Sequence, residues 1–252
     1  MLVSAAAIYG LAVSPAFGFA RLEIEGLTVT TADAIRERLG VPEGQNLFAI
    51  ATEPLEARLA EIPAIAGAQI DIGLPDTLAV HVDERQGLLV WQAGEHRFLV
   101  DDSGMLFAEL GETPPSSVTK LPTIVDGRAA SAGLRVSQAI DPVDLDAATR
   151  LASLTPAEIG SSAAGLAVGV TDENGFVVGS VPASWTAIFG FYGRSLRTPD
   201  LIDDQVQLLA HLLAGREATV ATAILAAERD GTVILKTPAP TAAPAPSAAP
   251  AP

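Results

Sequence analysis

The 252-residue chain contains no cysteine. That excludes disulfides, thiolate nucleophiles and cysteine metal sites. Histidine is almost as scarce: His81, His96 and His211 are the only three. They show no H-E-x-x-H spacing, the helical arrangement that aims two imidazoles at one zinc ion. Positive charge is also thin, with 15 Lys and Arg against 30 Asp and Glu. So acidic a chain repels phosphate backbones, which argues against nucleic acid as a partner. No run of Lys or Arg exists to hold anionic headgroups. The chain also lacks G-x-S-x-G, a Walker loop and G-x-G-x-x-G. Nothing here predicts a cofactor, a metal or a small-molecule substrate.

What is present is apolar. Hydrophobic residues make up 49% of the sequence, enough to build real cores in two modest domains. Met1 to Ala20 carries no charge. As a helix it would be about 30 Å long, one hydrocarbon thickness. Three readings stay open: a membrane anchor lacking a basic flank, a signal peptide lacking its positive n-region, and a buried helix. At the other end, Pro238 to Pro252 is all Pro, Ala, Thr and Ser. Such a composition predicts an extended, solvated tail.

Between these ends the periodicity is readable. Leu22 and Ile24 alternate with Glu23 and Glu25, a half-buried strand. "TTADAIRERLG" predicts a helix with Thr30 or Thr31 as cap, Ile35 above Leu39, and Gly40 as stop. "TEPLEARLAEIP" predicts a second helix with Thr52 as its cap and Leu55, Leu59 and Ile62 on one face. Ile70, Ile72 and Leu74 alternate, "PD" turns, and Leu78, Val80 and Val82 alternate again: a hairpin. The order strand-helix-helix-strand-strand lets two helices cover a three-stranded sheet. Beyond Leu88, three strand-turn-strand segments turn at "DDSG", "DENG" and "ERDG". Two helices interrupt them, "DLDAATRLASL" and "PDLIDDQVQLLAHLLAG", the latter with Ile202, Val206, Leu209 and Leu213 at helical spacing. The fold class expected is α+β: an N-terminal membrane helix, a small strand-helix-helix-strand-strand domain, and a β-rich domain with two helices. The expected boundaries are 1–20, 21–87, 88–237 and a tail at 238–252.

Two clusters raise the question of chemistry. "HVDER" places a histidine and two acids within four residues. Strand alternation splits them. His81 and Asp83 fall on the solvent side, and Glu84 follows Val82 on the inner side. Two groups make only part of a zinc ligand set. "SVTK", Ser117 to Lys120, matches the S-x-x-K of serine acylases. Prolines flank it on both sides, which predicts an extended loop and not the helix start that chemistry needs. The acidic runs "DLIDDQ" and "DPVDLD" lack calcium-loop spacing and read as helix N-terminal charges.

Four stretches, in this order and spacing, resemble the FtsQ/DivIB family of cell-division proteins: "FGFARLEIEG", "GQNLFAI", "PDTLAVHVDER", and "FLVDDSGMLF" with "LPTIVDG". "DENGFVV", "FGFYGR" and "QVQLLAHLL" resemble the family's later run more loosely. The absent basic tail and the Pro/Ala-rich end depart from it. The resemblance implies one membrane helix, an FtsQ-type POTRA domain and a β-domain. It implies a non-enzymatic divisome scaffold at the septum, in the cytoplasmic membrane through residues 1–20, with its bulk outside. The partners implied are FtsB/FtsL-like coiled-coil proteins and, directly or through them, the septal peptidoglycan synthase complex. In the family the partner segment adds to the last strand, which here is Gly231, Thr232, Val233, Ile234, Leu235 and Lys236. Glu84 and Arg85 close the POTRA hairpin, where an ion pair or a recruitment contact is expected. The rival expectation is a POTRA module of a secretion or outer-membrane assembly system, which should continue into barrel strands.

Overall fold

The computed structural model describes residues 15–225 and 230–237. The chain divides into two compact units, residues 1–153 with 168–173, and residues 154–167 with 174–252.

The first unit opens with β1 (Arg21–Glu25), α1 (Ala32–Leu39), α2 (Thr52–Leu59), β2 (Ile65–Gly73) and β3 (Thr77–Glu84). This is the order expected from periodicity. β3 lies in the middle, parallel to β1 and antiparallel to β2. Thr31 caps α1 by accepting the Ala34 N–H, and Gly40 ends it in the left-handed region. The cap expected at Thr52 does not form. Ala51 takes the cap position without a side-chain bond, and Thr52 is the first helical residue. Pro54 has no N–H, so a capping Thr52 would lack one of its two usual donors, those two and three residues on.

Ile35, Leu39, Leu47, Leu55 and Leu59 bury against Ile70, Leu78, Val80 and Val82. Ile72 and Leu74, expected in the same buried row, are exposed at 38% and 56%. Two eight-residue helices are each about 12 Å long, while a nine-residue strand runs about 30 Å, so the far end of β2 goes uncovered. His81 faces solvent, as alternation requires. Its neighbours are carboxylates of adjacent strands, Glu25 at 3.3 Å and Asp71 at 3.9 Å, and not Asp83. Among the described residues, no group of three or more acidic or histidine side chains is arranged to hold a metal.

The first unit continues with β4 (Leu89–Ala93), β5 (His96–Val100), β6 (Leu106–Glu109), β7 (Thr123–Asp126) and α3 (Pro142–Ala152), which Asp141 caps. β4 pairs antiparallel with β5 and parallel with β7, and β5 pairs antiparallel with β6. β8 (Gly165–Thr171) pairs parallel with β7 through Val168–Val170. Val90, Leu99 and Phe107 form a small core with Ala64, and Val29 and Ile62 pack against it. The expected extended loop at Ser117–Lys120 is instead a run of tight turns, with the Val118 and Thr119 N–H groups both donating to Pro115 O. Val118 belongs to this same core. Burying one apolar side chain of the segment pulls its backbone into the turn.

The second unit contains β9 (Gly175–Val181), β10 (Thr186–Gly190), α4 (Ile202–Leu213), β11 (Val220–Leu225) and β12 (Gly231–Leu235). The strands run in the order β9-β10-β11-β12, with β10 and β11 parallel and the outer pairs antiparallel. α4 buries Ile202, Leu209 and Leu213 as its spacing predicts. Val206 is only half-buried, and Gln205 beside it is fully enclosed. The Gln205 amide donates to Phe189 O and Leu225 O and accepts from the Tyr192 hydroxyl. A polar group tolerates burial when its bonds are made. Tyr192 is partly buried, and desolvation pushes its phenol well above the usual range, with Arg197 opposing.

Of the expected membrane segment, residues 1–14 lie outside the described residues, as does the tail at 238–252. Pro15–Phe17 form a short 3-10 turn, and Phe19 is buried in the core of the small domain. Among the described residues no helix is long and apolar enough to cross a membrane.

Candidate partner-binding surface

β12 ends the strand order of its sheet. β11 pairs with one side of it, aligning Val233 with Ala223 and Thr232 with Ile224. An antiparallel strand turns every second N–H and C=O away from its neighbour, so an edge presents a row of backbone groups to any chain that can match it. Ile234 and Leu235 stand on this strand with 51% and 59% of their surface exposed.

The strand is nonetheless fixed in place. At Gly231, an added Cβ would lie 2.9 Å from Leu212 Cδ1 and 3.2 Å from Leu208 Cδ2, so the glycine lets α4 close down on the start of β12. At the other end, Lys236 donates its backbone N–H to Thr219 O and its ammonium to Ser184 Oγ and Ala218 O. Lys236 is therefore a clamp on the strand end. Glu217, close by in sequence, accepts from Ser161 Oγ, the Ser162 N–H and hydroxyl, and Trp185 Nε1. These donors, Ser161 first, pull its carboxyl down to about 2.

A second feature adjoins the edge. Register aligns Val177, Ile188, Ile224 and Thr232 across four strands, and Gly179, Thr186, Thr222 and Ile234 in the next row. The first three residues of each row are half-buried. This β-branched face was not anticipated from sequence. Its only signal is that β9 to β11 carry apolar or β-branched residues at both parities.

Glu84 and Arg85 lie in the first unit, at the end of β3. Glu84 accepts the N–H groups of Thr28 and Val29 on one oxygen and of Thr30 on the other, at 2.7–2.8 Å. Burial opposes its charged form, but the donors prevail and hold the carboxyl below its usual range. Arg85 donates to Pro63 O at 2.9 Å and to Asp101 Oδ2 at 2.8 Å. Asp101 is buried and also accepts from Ser103 N–H, Ser103 Oγ and Met105 N–H. Both residues thus face inward and tie β3 to its surroundings. Asp101, the first residue of "DDSG", reads in sequence only as a turn former, yet it receives the Arg85 side chain. Asp126 repeats the device with Trp91, Arg128 and Ser131.

The fold and this edge define the class: an α+β protein with a β-α-α-β-β domain followed by β-rich structure. Residues 17–85 match the family model of the POTRA domain, FtsQ-type. The chain is 34% identical over 95 residues to the cell division protein FtsQ of Streptomyces coelicolor, covering 37% of this chain and 36% of that protein. It is 28% identical over 92 residues to the cell division protein DivIB of Clostridium acetobutylicum, covering 36% and 37%. A longer match, 26% over 159 residues, covers 63% of this chain and 56% of FtsQ from Chloroflexus aggregans. The chain spans about a third of the length of the first of these relatives. The relatives named are cell division proteins, FtsQ or DivIB, and the family model covers residues 17–85 of this chain.

Proposed function

We propose that this protein is a non-enzymatic scaffold of the bacterial division machinery. The apolar segment before Pro15 holds it at the cytoplasmic membrane, residues 15–20 of the expected anchor being folded into the small domain, and the POTRA domain (21–87) and β-domain (88–237) work outside the cytoplasm at the septum. Its partners are FtsB/FtsL-like coiled-coil proteins, through which it recruits or regulates septal peptidoglycan synthesis. Gly231–Lys236 supply the docking strand, and Glu84 and Arg85 serve by holding the end of the POTRA hairpin in a defined geometry.

The observation that carries this reading is the edge strand β12, paired with β11 on one side, held at its Lys236 end, and showing Ile234 and Leu235 to solvent. Strand addition draws affinity from backbone bonds and specificity from alternate side-chain contacts. A clamped edge has already lost the entropy that docking would otherwise cost. The FtsQ-type POTRA match and the cell-division relatives supply the cellular context.

A fluorescent fusion in the native host tests the role. The expected result is a band at mid-cell, with filamentous cells on depletion. A uniform envelope signal and normal cell length on depletion would refute it.

A further inference from the structure

The edge strand is not the only exposed apolar feature. A second one lies in the POTRA domain, at the end where β1 begins. Phe48 is 51% exposed, and its ring packs edge-on against Phe17 at 5.2 Å. Its neighbour Leu47 is fully buried in the core, which forces the next side chain of the tight helical turn outward. Leu74 is 56% exposed in the β2–β3 turn, and Ile72 precedes it at 38%. That turn is bonded to the same end of β1, because Asp76 O accepts the N–H groups of both Ala20 and Arg21. Phe19 and Gly44 are likewise bonded, which brings the segment carrying Phe48 alongside. Residues 17–21, which carry Phe17, are thus bonded to both the segment that leads to Phe48 and the turn that follows Ile72 and Leu74.

Three further observations choose the occupant. First, residues 1–14, which lead directly into this stretch, carry no charge and are mostly apolar. Second, the charges at this end are largely cancelled. Asp76, in the turn with Leu74, is paired with Arg21 through both Nε at 3.1 Å and Nη2 at 2.7 Å. Arg21 and its bond hold the Asp76 carboxyl below its usual range. Third, Glu43, in the turn before Phe48, is exposed and supplies a charged group beside it in sequence. Large apolar side chains with a polar rim are the pattern of a surface that meets a bilayer interface. A basic patch, which would point to anionic headgroups, is absent from these residues.

We propose that this end of the POTRA domain is a lipid-contacting tip, with Phe48 and Leu74 seated in the interface of a zwitterionic bilayer. The tip holds the domain upright against the membrane at a fixed orientation, where a bare anchor would leave it to swivel. The inference rests on the apolar segment before Pro15 being the membrane anchor, and it adds a second contact to that anchor.

The absence of native cysteine makes the test clean. Single-cysteine variants of the full chain, Phe48→Cys, Leu74→Cys and Ala66→Cys, are labelled with an environment-sensitive fluorophore. Ala66 is exposed near the opposite end of β2, roughly 23 Å from Gly73 along the strand. Each protein is reconstituted in phosphatidylcholine vesicles and recovered by flotation. Labels at 48 and 74 are expected to shift to the blue, to be quenched by a nitroxide-bearing lipid, and to be shielded from aqueous iodide. The label at 66 should do the reverse. If the chain floats but labels at 48 and 74 behave like that at 66, the tip is overturned while the anchor stands. If the chain does not float with vesicles, anchor and tip both fall.

Discussion

Asp101 concentrates more of the fold's polar bonding than its place in a turn suggests. It accepts from the Ser103 N–H and hydroxyl, the Met105 N–H and the Arg85 guanidinium. Burial opposes its charge, yet these donors hold its carboxyl below the usual range. The side chain is 5% exposed while Arg85 keeps 32%, so part of the pair is still hydrated. Removing the carboxylate leaves several donors short of a partner at once. Asp101→Ala should therefore destabilise the chain by about 2–3 kcal/mol, the range for a bond to a charged group that is lost with its donor left behind. Urea unfolding of the full chain measures this. An unchanged midpoint would show that Arg85 finds water or another acceptor at no cost.

Among the elements, the POTRA domain depends on one close approach. Gly26 ends β1 with φ +91, and a Cβ there would stand 1.9 Å from Val82 O on β3. No side chain can rotate away from a backbone oxygen. Gly26→Ala should cost at least about 2 kcal/mol, from the strained φ and the clash together. It should lower hydrogen-exchange protection in β1 and β3 before β9–β11. Wild-type protection in β1 would contradict this.

Much of this domain was legible in sequence, because its signals are local. Alternation in β1 and β3, the Thr31 cap and the Gly40 stop each need only neighbouring residues. What was not legible depended on lengths and distant partners. The exposure of Ile72 and Leu74 follows from helices shorter than the strand they cover. The burial of Gln205 follows from carbonyls of β10 and β11, 16 and 20 residues away in sequence. The turn at Ser117–Lys120 follows from a core that Val118 joins. At the candidate edge, the "DG" before Thr232 and the alternation after it made β12 visible. Its clamp by Lys236 was not, since Ser184 and Ala218 lie far from it along the chain. Glu84 and Arg85 were picked out in sequence as an ion pair or a contact, and their side chains are spent on internal bonds.

At the scale of the molecule, the excess of 30 acidic over 15 basic residues disfavours phosphate-rich partners. The first unit joins its POTRA domain to β4–β6 through a shared core and the Arg85–Asp101 pair. The second unit carries the edge. Each carries exposed apolar residues, Phe48 and Leu74 in the first and Ile234 and Leu235 in the second, the feature on which the proposed scaffold role rests. The most direct test is an affinity pull-down of the full chain from solubilised membranes, with bound proteins identified by mass spectrometry, for the wild type and Ile234→Pro. Proline removes a backbone donor from β12 and keeps its neighbours from pairing regularly. The account predicts that the wild type retains an FtsB/FtsL-like coiled-coil protein and that Ile234→Pro loses it while the POTRA domain stays folded. Equal recovery with both proteins would contradict it.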